Sequence, residues 1–344
     1  MNRIVKIILV LSLATFLFAE ETFAQSVSKT GTTAAPFLNI PVGARAAGLG
    51  GAVVSSVNDA SAMALNPAAI ANMNKFEFMV DHAQWFADLR HSYLGVIIPA
   101  GTIGTFGINI TALTMDDMIE TTYDMPDGTG RMFGAYMYAA GFSYGRQLLD
   151  VFSLGVNVKY VNETIWNTSA TGLAFDIGTL YQTPLDGLVF GVSMTNFGSK
   201  MRMLGDDLLI EADPDRGSSG NWNPAAMLRT DQFDMPLQLR ASLKYDYYAD
   251  EYLRVTPIVE ANSPSDNFQS VSFGLEIGFL NDLFQVRGGL PNIGMPEEDR
   301  VFQFAAGAGI KYDIQSSLGL RINYAYQQHK YLGGTNRVSL SMTF

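Results

Sequence analysis

The sequence predicts an all-β fold: a transmembrane antiparallel β-barrel of about 14 strands, with a small N-terminal plug, or hatch, segment inside its lumen. Three observations predict it. Apolar and polar side chains alternate along successive segments of about ten to twelve residues. The connections between these segments alternate between short and long. Finally, the chain begins like an exported protein, and after this start it has no apolar run long enough for a membrane helix.

Composition excludes several classes of function. Only 16% of the 344 residues are charged, whereas a soluble domain carries about a quarter. The chain has no cysteine, which excludes thiol nucleophiles, disulfides and zinc–thiolate sites. The formal net charge of −11 and the lack of a basic stripe argue against a nucleic-acid partner. With three histidines, His82, His91 and His329, we expect neither a metal centre nor another cofactor.

Residues 1–24 are predicted to be a cleaved signal peptide. Arg3 and Lys6 precede the apolar run 7–18, and the small residues Thr22 and Ala24 suit cleavage before Gln25. A single membrane anchor is the alternative, but the run has about a dozen residues and a spanning helix needs about twenty. The prediction is therefore export, with the bacterial outer membrane as destination if a barrel follows.

Residues 25–74 are predicted to form the hatch. They lack the alternation and are rich in small residues that would fit a narrow lumen. Asn58 or Asp59 could cap a short alanine-rich helix, and Asn66-Pro67 would end it.

Residues 75–344 are predicted to form the barrel. A soluble β-sandwich also alternates, but these segments exceed the usual five or six residues of soluble strands and approach the length that crosses a bilayer when tilted. Their polar faces are rich in Gly, Ser, Thr and Asn, which suits a wet lumen. The predicted strands begin near Lys75, Arg90, Ile103, Met132, Phe152, Thr171, Leu188, Pro236, Tyr252, Gln269, Leu283, Val301, Ser317 and Arg337.

Connection lengths support the barrel independently. Predicted short connections are 99–102, 147–150, 183–187, 249–251, 281–282 and 313–316. Predicted long ones are 115–131, 197–235, 261–268, 291–300 and 329–336. Short periplasmic turns and longer outside loops are typical of bacterial outer-membrane barrels. The last strand ends on Phe344, which resembles the terminal phenylalanine by which such barrels are recognised for insertion.

The hatch region carries a family resemblance. Its motif reads Phe-Leu, then Gly-Ala-Arg-Ala-Ala-Gly-Leu-Gly-Gly-Ala, then Asn-Asp-Ala-Ser-Ala, then Asn-Pro-Ala. This resembles the PorV/PorQ family, within the FadL-like group of fourteen-stranded outer-membrane barrels. The resemblance is sharp at 36–71, and Leu65 stands where PorV-like members often have Trp or Tyr, so the sub-family stays open. In FadL-like proteins an Asn-Pro-Ala motif lies in the hatch, and the resemblance carries this over to Asn66, Pro67 and Ala68. The predicted hatch motif also includes Arg45, Gly48 and Gly50.

The resemblance implies two functions. PorV-like proteins take part in type IX protein secretion by binding cargo C-terminal domains, whereas FadL relatives pass hydrophobic small molecules through a lateral opening. The expected partners are accordingly outer-membrane lipid and either secretion-system proteins and cargo or hydrophobic small molecules. The glycine-, serine- and charge-bearing lumen faces argue against an apolar conduit, and the apolar segment 197–235 argues for a protein partner. Secretion is therefore preferred, largely on the resemblance, with FadL-like transport as the alternative.

The long segment 197–235 is the candidate partner-contact loop. An exposed loop with this apolar content folds over something or contacts a partner, so a self-packed cap on the barrel mouth is the competing interpretation. Pro257 marks either a kink or an ordinary irregularity in its strand. The candidate contact residues are Met201, Met203, Leu208, Leu209, Ile210 and Trp222.

Catalytic patterns are weak, and we expect no enzyme. Gly141–Gly145 fits G-x-S-x-G, but Ser143 continues a strand alternation with no helix after it, unlike a nucleophile elbow. The charges on the lumen faces are interpreted as cross-strand pairs that fix register. They are Lys159, Asp176, Arg240, Lys244, Arg254, Glu260, Glu276, Arg321 and Arg337.

Overall fold

The computed structural model describes residues 29–212, 224–250, 252–314 and 318–344. Within these ranges fourteen long strands form one closed antiparallel ring. We number them β1 (Glu77–Gln84), β2 (Arg90–Pro99), β3 (Thr105–Thr114), β4 (Ala135–Leu149), β5 (Phe152–Ile165), β6 (Thr168–Gln182), β7 (Leu188–Gly198), β8 (Gln238–Tyr245), β9 (Leu253–Pro264), β10 (Ser270–Phe279), β11 (Phe284–Ile293), β12 (Phe302–Asp313), β13 (Gly319–His329) and β14 (Gly333–Thr343).

Each strand pairs with its neighbour in sequence, and β14 pairs with β1 to close the barrel, with Glu77 opposite Thr343. The predicted all-β barrel is confirmed, and every predicted strand start lies within four residues of the observed one. The predicted signal peptide, residues 1–24, lies outside the described residues.

The alternation in sequence becomes two chemically different surfaces. Along β3, Ile108 and Ile110 are 51% and 41% exposed on the outer wall, whereas Asn109 and Thr111 are buried on the inner wall. Successive strand side chains point to opposite faces, so the same division repeats around the ring. The barrel therefore has an apolar outside and a polar lining. No helix in the described ranges is long and apolar enough to cross a membrane.

The two ends of the barrel differ in their connections. At the turn end the strands are joined by 100–104, 150–151, 183–187, 246–252, 280–283 and 314–318, and at the loop end by 85–89, 115–134, 166–167, 199–237, 265–269, 294–301 and 330–332. The predicted long connection at 329–336 is wrong, because β13 runs to His329 and β14 begins at Gly333. Trp166 closes its two-residue loop with a left-handed φ of 49°.

Short β-ladders lie at the loop end of the barrel. Met118–Ile119 pairs with Met132–Phe133, and Leu209–Glu211 pairs with Ala225–Met227. Leu204–Gly205 pairs with the start of β6. At the turn end, Tyr247–Tyr248 also pairs with β9, beyond Pro257, and keeps the register of the β8–β9 ladder. Pro257 therefore interrupts this ladder without shifting its register.

An inner segment, residues 29–76, precedes β1. It contains a 3-10 helix at Pro36–Asn39, helix α1 at Ala44–Gly48, helix α2 at Ala62–Leu65 and a 3-10 helix at Pro67–Asn72. As expected, α2 ends at Asn66-Pro67. Most of the largest buried apolar cluster belongs to this segment, with Met79, Tyr93 and Ile97 of the wall packed around it. The apolar core therefore lies in the lumen rather than between two sheets.

Candidate functional site

The inner segment crosses the lumen from the loop end to the turn end. At the loop end the Ala34 amide donates to the carbonyl of Asp234 over 2.9 Å, and Thr33 Oγ1 donates to Asp266 over 3.2 Å. At the turn end Ser153 Oγ donates to Asn72 over 3.1 Å. The chain is thus tied to the wall at both ends of the barrel.

Arg45 is the central ionic anchor of the inner segment. It projects from α1 and is buried against Glu276 of β10, with Nε 2.8 Å from Oε2 and Nη2 3.2 Å from Oε1. The same carboxylate accepts from Arg254 and Arg287 over 2.8 and 2.6 Å. One carboxylate therefore joins three guanidinium groups, and Arg45 also donates to the carbonyl of Ser56 over 2.8 Å.

The network continues to the turn between β8 and β9. Lys244 lies 2.8 Å from Asp246, and Thr256 Oγ1 donates to the same carboxylate over 2.7 Å. Burial alone would raise the pKa of Asp246, but Lys244, Thr256 and Arg254 more than offset it, so this pKa lies below its ordinary value. The carboxylate consequently stays ionised and holds the turn to the wall.

Two more wall charges hold the backbone of the inner segment. Glu260 Oε2 accepts from the amides of Val53 and Val54, both over 2.8 Å. Arg240 Nη2 donates to the carbonyl of Leu65 over 3.0 Å. The sequence predicts cross-strand pairs for these charges, whereas in the structure they hold the inner segment, a role that no pattern along the strands indicates.

Asn66 connects three parts of the protein. Its amide nitrogen donates to the carbonyls of Val54 and Thr179 over 2.9 and 3.1 Å, and its oxygen accepts from the Ala68 amide over 3.2 Å. The bond to Val54 holds two parts of the inner segment together, the bond to Thr179 joins the segment to β6, and the third starts the helix that Pro67 begins. Asn66 and Ala68 are fully buried, so this motif is a structural junction.

Wall glycines let the inner segment approach closely. A Cβ on Gly155 would overlap the Pro67 backbone, and one on Gly178 would overlap the Asn66 side chain. Gly48 and Gly50 are the corresponding glycines of the inner segment, and both lie close to the backbone of the wall. Gly48 lies against Gly307, and Gly50, with φ +66°, lies against β11. The sequence does not single out the wall glycines, because their function depends on contact with the inner segment, which is distant in sequence.

A cavity of about 370 Å³ separates the inner segment from part of the wall. Pro36–Val42 line one side, and the inner faces of β3, β5, β7–β10 and β13 line the other. The cavity extends to the 265–269 and 294–301 connections at the loop end. This size is within the ordinary range of small-molecule sites.

The wall beside this cavity is interrupted between β11 and β12. Their ladder ends at Gly289 and Ala305, although β11 continues to Ile293 and β12 begins at Phe302. A register shift in each flanking ladder, β10–β11 and β12–β13, accompanies the interruption. Residues on both sides of it line the cavity, including Pro291 and Phe302. The cavity therefore reaches the barrel wall where main-chain pairing is lost.

The candidate partner-contact loop divides into two parts. Met201 is buried in one cluster with Phe37 and Met235, and its backbone pairs with Phe233, so this part caps the lumen. Met203 and Leu208 are half-buried, whereas Leu209 and Ile210 are exposed on the small hairpin. Trp222 lies outside the described residues.

Ser143 of the G-x-S-x-G pattern is buried in β4 and donates to Asn157 over 2.9 Å. Asn157 in turn donates to Asp176, which pairs with Lys159 over 2.8 Å. Ser143 is thus one member of a polar network on the inner wall. Among the residues that the structure describes, no cluster of three or more His, Asp or Glu could hold a metal ion.

The comparisons with known proteins agree with this architecture. Residues 14–175 match a family described as an uncharacterised protein family (UPF0164). No protein with a curated description matches the chain. Among solved structures, a Pseudomonas aeruginosa FadL homologue matches with a TM-score of 0.51 and 14% identity, over 88% of this chain and 97% of that one.

Two further solved structures are similar. The Pseudomonas putida toluene transporter TodX matches with a TM-score of 0.55 and 12% identity, over 87% of this chain and 96% of that one. A TodX mutant described as a monoaromatic hydrocarbon channel matches with a TM-score of 0.59 and 12% identity, over 88% and 98%. At such identities the likeness shows the fold alone, which is a closed β-barrel shared with these three proteins.

Proposed function

We propose that this protein spans the bacterial outer membrane and passes small hydrophobic or amphipathic molecules through its lumen, with the inner segment as the hatch. The observation that carries this proposal is the cavity of about 370 Å³ between the inner segment and the wall. The inner segment fills the lumen on the turn-end side of this cavity. Passage to the periplasm therefore requires that the hatch move.

The apolar outer wall supports membrane residence, and the shared fold with FadL-like channels supports transport. The interruption between β11 and β12 supplies a route from the membrane side to the cavity, because these strand ends have no ladder bonds to break. A solute could leave the lipid there without crossing the loop-end water.

Type IX secretion is the second candidate. It is favoured by the exposed apolar hairpin, on which Leu209, Ile210 and Met227 face outward, since such a surface suits a protein partner. Its other support is the sequence resemblance at 36–71, which is shared with FadL-like hatches. Transport accounts for both the cavity and the hatch, so we prefer it.

Uptake of radiolabelled benzyl alcohol by bacteria that lack other FadL-like barrels tests the proposal. Expression of the chain should raise uptake several-fold. Ala64→Phe, which fills the cavity, should abolish this gain, whereas Ala306→Phe on the exposed outer wall is the matched control and should keep it. Unchanged uptake on expression, together with loss of a class of secreted proteins on gene deletion in the native host, would favour secretion instead.

A further inference from the structure

The lining of the lumen cavity is partly apolar and partly polar, and this indicates which class of ligand fits it. Its inner-segment side includes Leu38, Ile40 and Val42, and Phe268 and Phe302 add aromatic surface near the loop end. Most of the facing strand positions instead carry side-chain amides and hydroxyls. A molecule in this cavity therefore meets an apolar side and a hydrogen-bonding side.

Several polar side chains on this lining have unused hydrogen-bond donors or acceptors. The side chains of Thr111, Thr195 and Gln327 form no hydrogen bond with other described residues. These three side chains come from β3, β7 and β13, so hydrogen-bonding groups lie on separate parts of the wall around the cavity.

The charges on the lining offset one another. Lys159 is paired with Asp176 over 2.8 Å. Arg240 and Glu260 project into the lumen from the neighbouring strands β8 and β9, at adjacent inward positions of one ladder. The remaining charged lining residue, Asp266, accepts bonds from Thr33 and Asn39. Because each cation of the lining has a nearby carboxylate, the cavity has no surplus positive charge for an anion.

These contacts have energetic consequences for three ligand classes. A bare hydrocarbon would displace water and leave polar lining groups without partners, which weakens its binding. A carboxylate would lose its hydration without a free cation to replace it. An uncharged molecule with hydroxyl, carbonyl or amide groups on an apolar body avoids both costs.

We propose that the cavity selects uncharged amphipathic molecules that carry hydroxyl, carbonyl or amide groups, in preference to bare hydrocarbons and carboxylate anions. This inference rests on the proposed transport function and specifies its substrate class. Thr111, Thr195 and Gln327 are the selecting residues.

A series of single-ring probes tests this selectivity. Equilibrium dialysis of the full-length barrel in detergent, against matched empty micelles, measures binding of toluene, benzyl alcohol, benzamide and benzoate at neutral pH. Benzamide and benzyl alcohol should bind at least about tenfold more tightly than toluene and benzoate, the size of one or two satisfied hydrogen bonds. Toluene or benzoate as the tightest ligand would overturn the inference.

Variants connect the selectivity to the lining. The double substitution Thr111→Val with Gln327→Leu should weaken benzamide binding about tenfold and strengthen toluene binding. Gln147→Leu is the control, because Gln147 lies at the turn end, where its side chain donates to Asp150. An unchanged order of ligands in the double variant contradicts the assignment.

The two proposals fail in different ways. Uptake of benzyl alcohol by expressing bacteria combined with a reversed order of binding leaves the transport function standing and removes the selectivity. Absence of both uptake and binding of all four probes removes both.

Discussion

At the scale of single residues, Glu276 is the wall carboxylate that forms the ion pair with Arg45 of the inner segment. It holds Arg45 of the inner segment while it also binds Arg254 and Arg287 of the wall. All of these side chains are buried or nearly so. A buried pair contributes little relative to an apolar replacement, but removal of one partner is costly because the other charge remains in a low dielectric.

Glu276→Gln should therefore lower the free energy of unfolding by about 3–5 kcal/mol, because it leaves Arg45 and Arg287 without their carboxylate. Arg45→Gln should cost less, since Glu276 keeps its other two partners. Urea unfolding in detergent, followed by tryptophan fluorescence, measures both. Lys200→Gln is the control, because it breaks the exposed pair with Asp234 and should cost less than about 1 kcal/mol. A Glu276→Gln variant as stable as Lys200→Gln would contradict this role.

At the scale of elements, the interruption between β11 and β12 separates this barrel from a uniform ring. Up to Gly289 and Ala305 the two strands are paired, and beyond that point each continues without the other. Pro291 lies in the unpaired part and has no amide hydrogen to donate.

Introduced cysteine pairs can test whether β11 and β12 separate beyond Gly289 and Ala305, because the chain has no cysteine of its own. Gly288→Cys with Ala306→Cys replaces partners of the intact ladder and should form a disulfide readily in mild oxidant. Leu290→Cys with Phe304→Cys replaces the next outward positions and should form it at least about tenfold more slowly, because a disulfide needs Cα atoms within about 7 Å. Equal rates would show that the wall is continuous there.

The elements also show how far the sequence could predict the fold. Alternation located all fourteen strands, since one face must meet an apolar exterior and the other the lumen. The bulge in β7 was not predicted. β7 has one extra residue here relative to β6, and Asn196 takes a left-handed φ of 64°. The Asn196 amide donates to Asp176 of β6, so the bulge depends on a side chain of another strand.

The candidate site was predicted only in part, for a related reason. Arg45 and Asn66 were singled out by their motif, and Glu276 and Glu260 by their place on lumen faces. Their connections were not predicted, because Arg45 and Glu276 lie 231 residues apart and Val53 and Glu260 lie 207 apart. No local pattern encodes a pairing over such separations.

At the scale of the whole molecule, the low fraction of charged residues has a structural explanation. The outer wall is apolar, and the described buried charges face the lumen, where several of them bind the inner segment. The inner segment thereby acts as the core of a barrel that otherwise has none, so stability and closure depend on the same contacts. The central claim of the transport proposal is that these contacts must loosen for a solute to pass.

A disulfide between the inner segment and the wall tests this claim most directly. Ala47 and Ala325 are buried in one contact cluster, so Ala47→Cys with Ala325→Cys can lock α1 to β13. Uptake of benzyl alcohol is measured with the pair oxidised and again after reduction, and the oxidised wall pair at 288 and 306, which leaves the inner segment free, is the control. Uptake should fall at least about tenfold when the inner segment is locked and should recover on reduction. Equal uptake in the locked and reduced states would contradict the claim that the inner segment is the hatch.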